Sequence, residues 1–160
     1  MGRQSDEPDG LDDFDRIVAS FNKHHVEFMI VGAFAVIYHG HVRDTSDLDL
    51  YVRSSRENAE RAVAALEETG FGSPDLKPEV FTHDNGIHLG EEPVEVDVLS
   101  TLKAVDWDRA WARREAGPFG PEDVYYLSLP DLIANKRAVG RLQDLADVEK
   151  LERLNNPPRS

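Results

Sequence analysis

Asp47 and Asp49 flank a single leucine at the start of the run Asp47-Leu-Asp-Leu-Tyr-Val52. On a β-strand successive side chains alternate faces, so both carboxylates point one way while Leu48 and Leu50 point into a core. Two carboxylates side by side repel each other unless a positive charge stands between them. A hard divalent cation resolves this, because Mg²⁺ takes one or two carboxylates and completes its shell with water and substrate phosphates. The run Val94-Glu-Val-Asp-Val98 alternates in the same way and puts Glu95 and Asp97 on one face. If the two strands are neighbours, Asp97 meets Asp47 and Asp49. Two Mg²⁺ ions about 3.5–4 Å apart would then clamp the attacking and leaving oxygens of an in-line displacement. Asp97 would be the natural base for an incoming hydroxyl. Taken alone, Asp97 reads only as a solvated carboxylate on a half-buried strand.

These carboxylates need elements to hold them. Residues 26–31 form a short, mostly apolar run suited to a buried strand, broken by Gly32, and 33–39 reads as a short helix. A glycine at a strand-to-helix junction lets backbone N–H groups approach a phosphate, although such junctions are common. Apolar residues at helical spacing predict an amphipathic helix over 11–24, and composition predicts another over 57–69. The Asp84-Asn85-Gly86 sequence predicts a hairpin with arms at 80–84 and 86–89. Residues 107–115 read as a helix with Trp107 and Trp111 one turn apart in the core, and 117–122 as a loop. Ser128 is a good N-cap for one long C-terminal helix, with a proline in its first turn and Asp131 at its positive end. On that helix Lys136, Gly140, Gln143, Asp144 and Asp147 share a face at spacings of three and four. Asp144 would then orient Lys136 or contact a ligand, while Arg141 projects away. The plainer reading makes Lys136, Arg141 and Asp144 exposed ion-pairing residues of little consequence. The division expected is an acidic, disordered leader over 1–9, a core over 10–127 and a helical segment over 128–160.

Composition narrows the function classes. A chain of 160 residues, 40% hydrophobic and 31% charged, fits one globular domain. It contains no cysteine, which excludes disulfides and thiolate metal sites. No apolar stretch reaches membrane-spanning length and no basic-then-apolar leader is visible, so a cytoplasmic protein without membrane contact is expected. The net charge of −13 argues against a generic grip on nucleic acid. That charge is uneven: −5 over 1–15, 0 over 16–53, −9 over 54–127 and +1 over 128–160. The segments holding Asp47 and Lys136 are close to neutral, so a polyanionic ligand fits there. The six histidines show no spacing of a zinc site, and structural roles are expected for all of them. His83 and His88 fall on opposite arms of the expected hairpin.

Glycine, a short helix, then apolar-Asp-apolar-Asp-apolar resembles the polymerase-beta-like nucleotidyltransferase superfamily. His39-Gly40, Arg43-x-Thr45 and Asp47-Leu-Asp49-Leu, followed by SLPDLIANKRAVGRLQDLADVEKL over 128–151, resemble its minimal branch related to abortive-infection and toxin–antitoxin proteins. The resemblance implies an α/β (α+β) nucleotidyltransferase fold: a small mixed sheet flanked by helices, with a C-terminal helical tail closing the nucleotide site. It implies transfer of a nucleoside monophosphate from an NTP to a hydroxyl of RNA, protein or a small molecule. Asp47, Asp49 and Asp97 would hold Mg²⁺, with Mn²⁺ as an alternative. Gly32 and Ala33 would cradle the triphosphate through backbone donors. Arg43 and Thr45 would support the phosphates or orient the Asp strand, and Lys136 would offset charge developing on the phosphates. Ala33 departs from the glycine or serine usual at that position, which removes one hydroxyl contact. A cognate antitoxin is a partner implied by kinship alone. The alternative is a catalytically silent module of the same fold that binds or regulates a partner.

Overall fold

The computed structural model describes residues 9–45 and 47–156, so the leader expected over 1–9 falls almost wholly outside the described residues. Helix α1 (Asp9–Lys23) is followed by β1 (Phe28–Val31), α2 (Gly32–Tyr38), β2 (Asp47–Val52) and α3 (Arg56–Glu68). Next come α4 (Glu79–Thr82), β3 (Gly86–Glu91), β4 (Val94–Leu99), α5 (Trp107–Arg113) and the strands β5 (Glu115–Phe119) and β6 (Glu122–Tyr126). Helices α6 (Leu129–Val139) and α7 (Leu142–Asn155) complete the chain. The six strands form one mixed sheet in the order β3-β4-β2-β1-β6-β5.

Of the two central strands, β2 is set by its apolar alternation and β1 by a continuous apolar run. β1 is buried throughout and runs antiparallel to β2, which in turn runs parallel to β4. Leu48, Leu50, Val96 and Val98 are fully buried in the core with Phe14, Ile17, Val18 and Phe21 of α1 and Ala62, Ala65 and Leu66 of α3. Ser20 of α1 donates to the Ala65 carbonyl at 2.8 Å, joining the two helices. Buried Asn58 donates to the carbonyls of Glu27 and Arg53 and accepts from the Glu27 N–H, tying α3 to the outer ends of β1 and β2.

Three local expectations are corrected. Residues 79–82 form a helical turn rather than a hairpin arm, and β3 instead pairs with β4 through the turn at Glu92-Pro93. The Asn-Gly signal is an entry to β3: Gly86 has φ +132°, and a Cβ there would lie 2.1 Å from the Val98 carbonyl oxygen. Residues 117–122 are not a loop but the centre of a β5–β6 hairpin turning at Gly120-Pro121. Pro118 is accommodated because β5 is an edge strand, where a missing N–H breaks no ladder bond. The long C-terminal helix is broken at Gly140, whose φ of +73° is a left-handed cap after which the chain restarts at Leu142. Ser128 caps α6 as expected, accepting from the Asp131 N–H. Trp107 and Trp111 stack at 5.2 Å and pack against the core.

A candidate active site with a carboxylate ladder

The parallel pairing of β2 with β4 places Asp49 directly beside Asp97, and Asp47 beside Glu95. The antiparallel pairing of β1 with β2 puts Val31 opposite Asp49, which brings the strand-to-helix junction to the same point. Gly32 has φ +64°, and a Cβ there would sit 2.1 Å from Asp49 Oδ2. The glycine is therefore required by the carboxylate as well as by the backbone. Burial pushes the Asp49 carboxyl up to about 7, reinforced by the adjacent Asp97 and Asp47 and only partly opposed by Lys136. Thr45 Oγ1 accepts from the Asp47 N–H at 3.0 Å and so sets the start of the Asp strand.

These groups line a cavity of about 890 Å³ that also receives α6 and α7. All nine residues singled out from the sequence, Gly32, Ala33, Arg43, Thr45, Asp47, Asp49, Asp97, Lys136 and Asp144, border it. Their surroundings differ from what a straight helix would give. Lys136 is buried at 5% exposure, with its ammonium 3.1 Å from Asp144 Oδ1 and 3.0 Å from Asp147 Oδ2. Asp147 is fully buried; it accepts from Gln143 at 2.9 Å and from Arg43 at 3.3 Å. The break at Gly140 turns Arg141 back, correcting the expectation that it projects away. Its Nε donates to Asp144 Oδ2 at 2.7 Å, and its backbone N–H donates to the same oxygen at 3.2 Å. Burial raises the Asp144 pKa, but the hydrogen bonds from Arg141 and Lys136 outweigh it and hold the carboxyl below its ordinary value.

Sequence reasoning assigned His88 a structural role and missed its partners. His88 lies opposite Asp97 in the β3–β4 ladder, with Nδ1 2.6 Å from Asp97 Oδ1 and Nε2 3.2 Å from Glu95 Oε1. His83 does not face it but ends α4. Period-two alternation could have placed His88 on the acidic face had the register of β3 been known.

Among the described residues, no three His, Asp or Glu side chains converge tightly enough to form a metal cage on their own. The donors nonetheless fit Mg²⁺, which needs only one or two carboxylates beside water and phosphate oxygens. Burial first, and then the adjacent Asp97 and Asp47, push the Asp49 carboxyl up, and a bound cation would favour its ionised form.

No protein-family model matches the chain, and no curated protein matches it in sequence. Solved structures do. The lincosamide antibiotic adenylyltransferase LnuA, in a lincomycin-bound crystal structure, superposes with a TM-score of 0.61 at 14% identity, covering 88% of this chain and 95% of that one. The antibiotic-resistance factor ANT(2'')-Ia gives 0.59 at 17% identity over 91% and 83%. A putative nucleotidyltransferase from Thermotoga maritima gives 0.56 at 15% identity over 95% and 96%. The chain has the nucleotidyltransferase fold. At these identities the likeness concerns the fold, and the chemistry has to come from the carboxylate ladder itself. Within the nucleotidyltransferase fold the sheet order accounts for that ladder: β2 lies between β1 and β4, so residues from 31 to 97 meet at one point.

Proposed function

We propose that this protein is a Mg²⁺-dependent nucleotidyltransferase that moves a nucleoside monophosphate from an NTP to a hydroxyl acceptor. The observation that carries the reading is the register pairing of Asp49 with Asp97, with Gly32 closed against Asp49, in a cavity of the nucleotidyltransferase fold. Bound Mg²⁺ would supply Lewis-acid stabilisation of the phosphates. Asp47 and Asp49 would hold it, with Asp97 as the third ligand. Asp97 would accept the proton of the acceptor hydroxyl as that oxygen bonds to the α-phosphorus. The bond from the α-phosphorus to the bridging oxygen of the β-phosphate then breaks, and pyrophosphate leaves with that electron pair. Gly32 and Ala33 would face the phosphates with backbone N–H groups. Arg43, Lys136 and Asp144 would support the site by holding α7 against it, and Thr45 by fixing the Asp strand. His88 would hold Asp97 in place through its 2.6 Å contact.

Among acceptors, a hydroxylated small molecule fits this reading first. A net charge of −13 does not favour polyanionic RNA, and two of the similar structures are an antibiotic-resistance factor and a lincosamide antibiotic adenylyltransferase, the latter with lincomycin bound. A protein acceptor and a toxin–antitoxin role with a cognate antitoxin rest on the resemblance of the sequence blocks described above. The test is incubation with each α-labelled NTP, Mg²⁺ and a cell extract fractionated into small molecules, protein and RNA. Label should enter the small-molecule fraction, and Asp47→Ala with Asp49→Ala should reduce it at least a thousandfold, the scale set by loss of metal catalysis. Absence of labelling together with absence of a Mg²⁺–NTP thermal shift would reject the enzyme reading in favour of the silent module.

A further inference from the structure

Four cationic side chains line the cavity: Arg43, Lys103, Lys136 and Arg141. Three of them are already engaged by carboxylates of α7, Arg43 and Lys136 by Asp147 and Arg141 by Asp144. Lys103 differs. It is exposed, and among the described residues its ammonium makes no ion pair or hydrogen bond. It follows the end of β4, six residues beyond Asp97, at the centre of a tight turn closed by the Val105 N–H donating to the Leu102 carbonyl at 3.1 Å.

That turn is built to a fixed shape. Ala104 adopts φ +62°, a conformation that normally calls for glycine at this position of a turn. Strained backbone of this kind persists where the surroundings enforce it, and it concentrates at functional sites. The enforcing contact here is Asn135, 7% exposed, whose Nδ2 donates to the Lys103 carbonyl at 3.0 Å. Asn135 precedes Lys136 on α6, so one helical turn both fixes the loop and carries the buried ion pair.

We propose that Lys103 binds the phosphate chain of the nucleotide, on the side that leaves as pyrophosphate, and so determines affinity for the triphosphate. This rests on the nucleotidyltransferase reading of the site. The cavity lining carries five aspartates, Asp44, Asp47, Asp49, Asp97 and Asp144, against the four cations. Three of those cations are held in ion pairs by Asp144 and Asp147. Lys103 is the cavity cation with no carboxylate partner among the described residues, and so is placed to meet a polyanion once the carboxylates have taken a divalent cation. Its role is binding rather than chemistry, and its ammonium forms charge-assisted hydrogen bonds to phosphate oxygens.

The test compares wild type, Lys103→Met and Lys103→Arg. Binding of Mg²⁺–NTP and of Mg²⁺–tripolyphosphate is measured by calorimetry, and transfer by the labelling assay. Lys103→Met should weaken both ligands about tenfold and raise KM for NTP by a similar factor with kcat within about threefold, and Lys103→Arg should restore most of the loss. Equal binding by wild type and Lys103→Met overturns the proposal, as does a loss confined to NTP with tripolyphosphate unaffected, because Lys103 would then read the nucleoside. Transfer that is indifferent to Lys103 rejects this inference and keeps the enzyme. Lys103-dependent binding of tripolyphosphate without any transfer keeps the inference and rejects the enzyme.

Discussion

Asp49 carries the most pH-sensitive chemistry of any single residue in the cavity. Its carboxyl stands at about 7 in the folded protein against 3.8 as an isolated group, raised first by burial and then by Asp97. Between those values the folded chain holds a proton that the unfolded chain has released, so metal-free stability falls as pH rises from about 4 through 7. Three pK units correspond to roughly 4 kcal/mol at most. Urea denaturation without divalent ions should show this decline in wild type and a flatter profile in Asp49→Asn, with the variant the more stable protein at pH 8. Adding Mg²⁺ at pH 8 should raise the wild-type midpoint and leave the variant's nearly unchanged. Parallel pH profiles for the two proteins would refute the assignment. The two carboxylates were legible in the sequence because alternation along a strand is a local rule. Asp97 as the partner of Asp49 was legible only on the condition that the two strands are neighbours, and the other contacts were not legible. That Gly32 abuts Asp49, and that His88 reaches Asp97, depends on which strands are neighbours and in what register, and neither follows from local spacing.

Helices α6 and α7 show how one break between elements changes the meaning of several side chains. A continuous helix would display Lys136 on an open face, free to meet phosphate. Instead the left-handed Gly140 folds α7 back, and Lys136 closes between Asp144 and Asp147. Gly140 could have been read as a C-cap followed by a restart, but helical spacing of three and four through it suggested continuity. The caps were readable where a side chain announces them, as Ser128 does for α6. The buried pairing has a consequence that separates the two views of Lys136. Replacing one partner of a buried ion pair leaves uncompensated charge and costs about 3–5 kcal/mol. Lys136→Met should therefore lower unfolding free energy by that amount in the absence of any nucleotide. A lysine held ready for phosphate would instead leave stability unchanged and affect only NTP binding. Chemical denaturation of the ligand-free variant decides between them.

At the scale of the whole molecule β2 and β4 were legible from their apolar alternation and β1 from its continuous apolar run, while the order β3-β4-β2-β1-β6-β5 was not. The edge hairpin of β5 and β6 was hidden by Pro118, Gly120 and Pro121, residues that read as loop until an edge position explains them. Charge, by contrast, is a property of the entire chain and bears directly on the acceptor. With 31 acidic and 18 basic residues, the net charge disfavours generic binding of a nucleic acid. Nonspecific affinity for RNA comes almost entirely from cations that displace its counterions, and typical RNA- or DNA-binding proteins reach dissociation constants of about 1–100 μM in this mode. The cavity's own cations supply little of that grip, because Arg43, Lys136 and Arg141 are paired with Asp147 and Asp144, and Lys103 alone displaces few counterions. Fluorescence anisotropy with a labelled single-stranded RNA should therefore show binding weaker than about 100 μM at physiological salt, with little gain when salt is lowered. Micromolar binding that strengthens steeply at low salt would mean that a basic track exists and would move RNA ahead of small molecules as the acceptor. The expected weak binding would place RNA behind the proposed hydroxylated small molecule as acceptor.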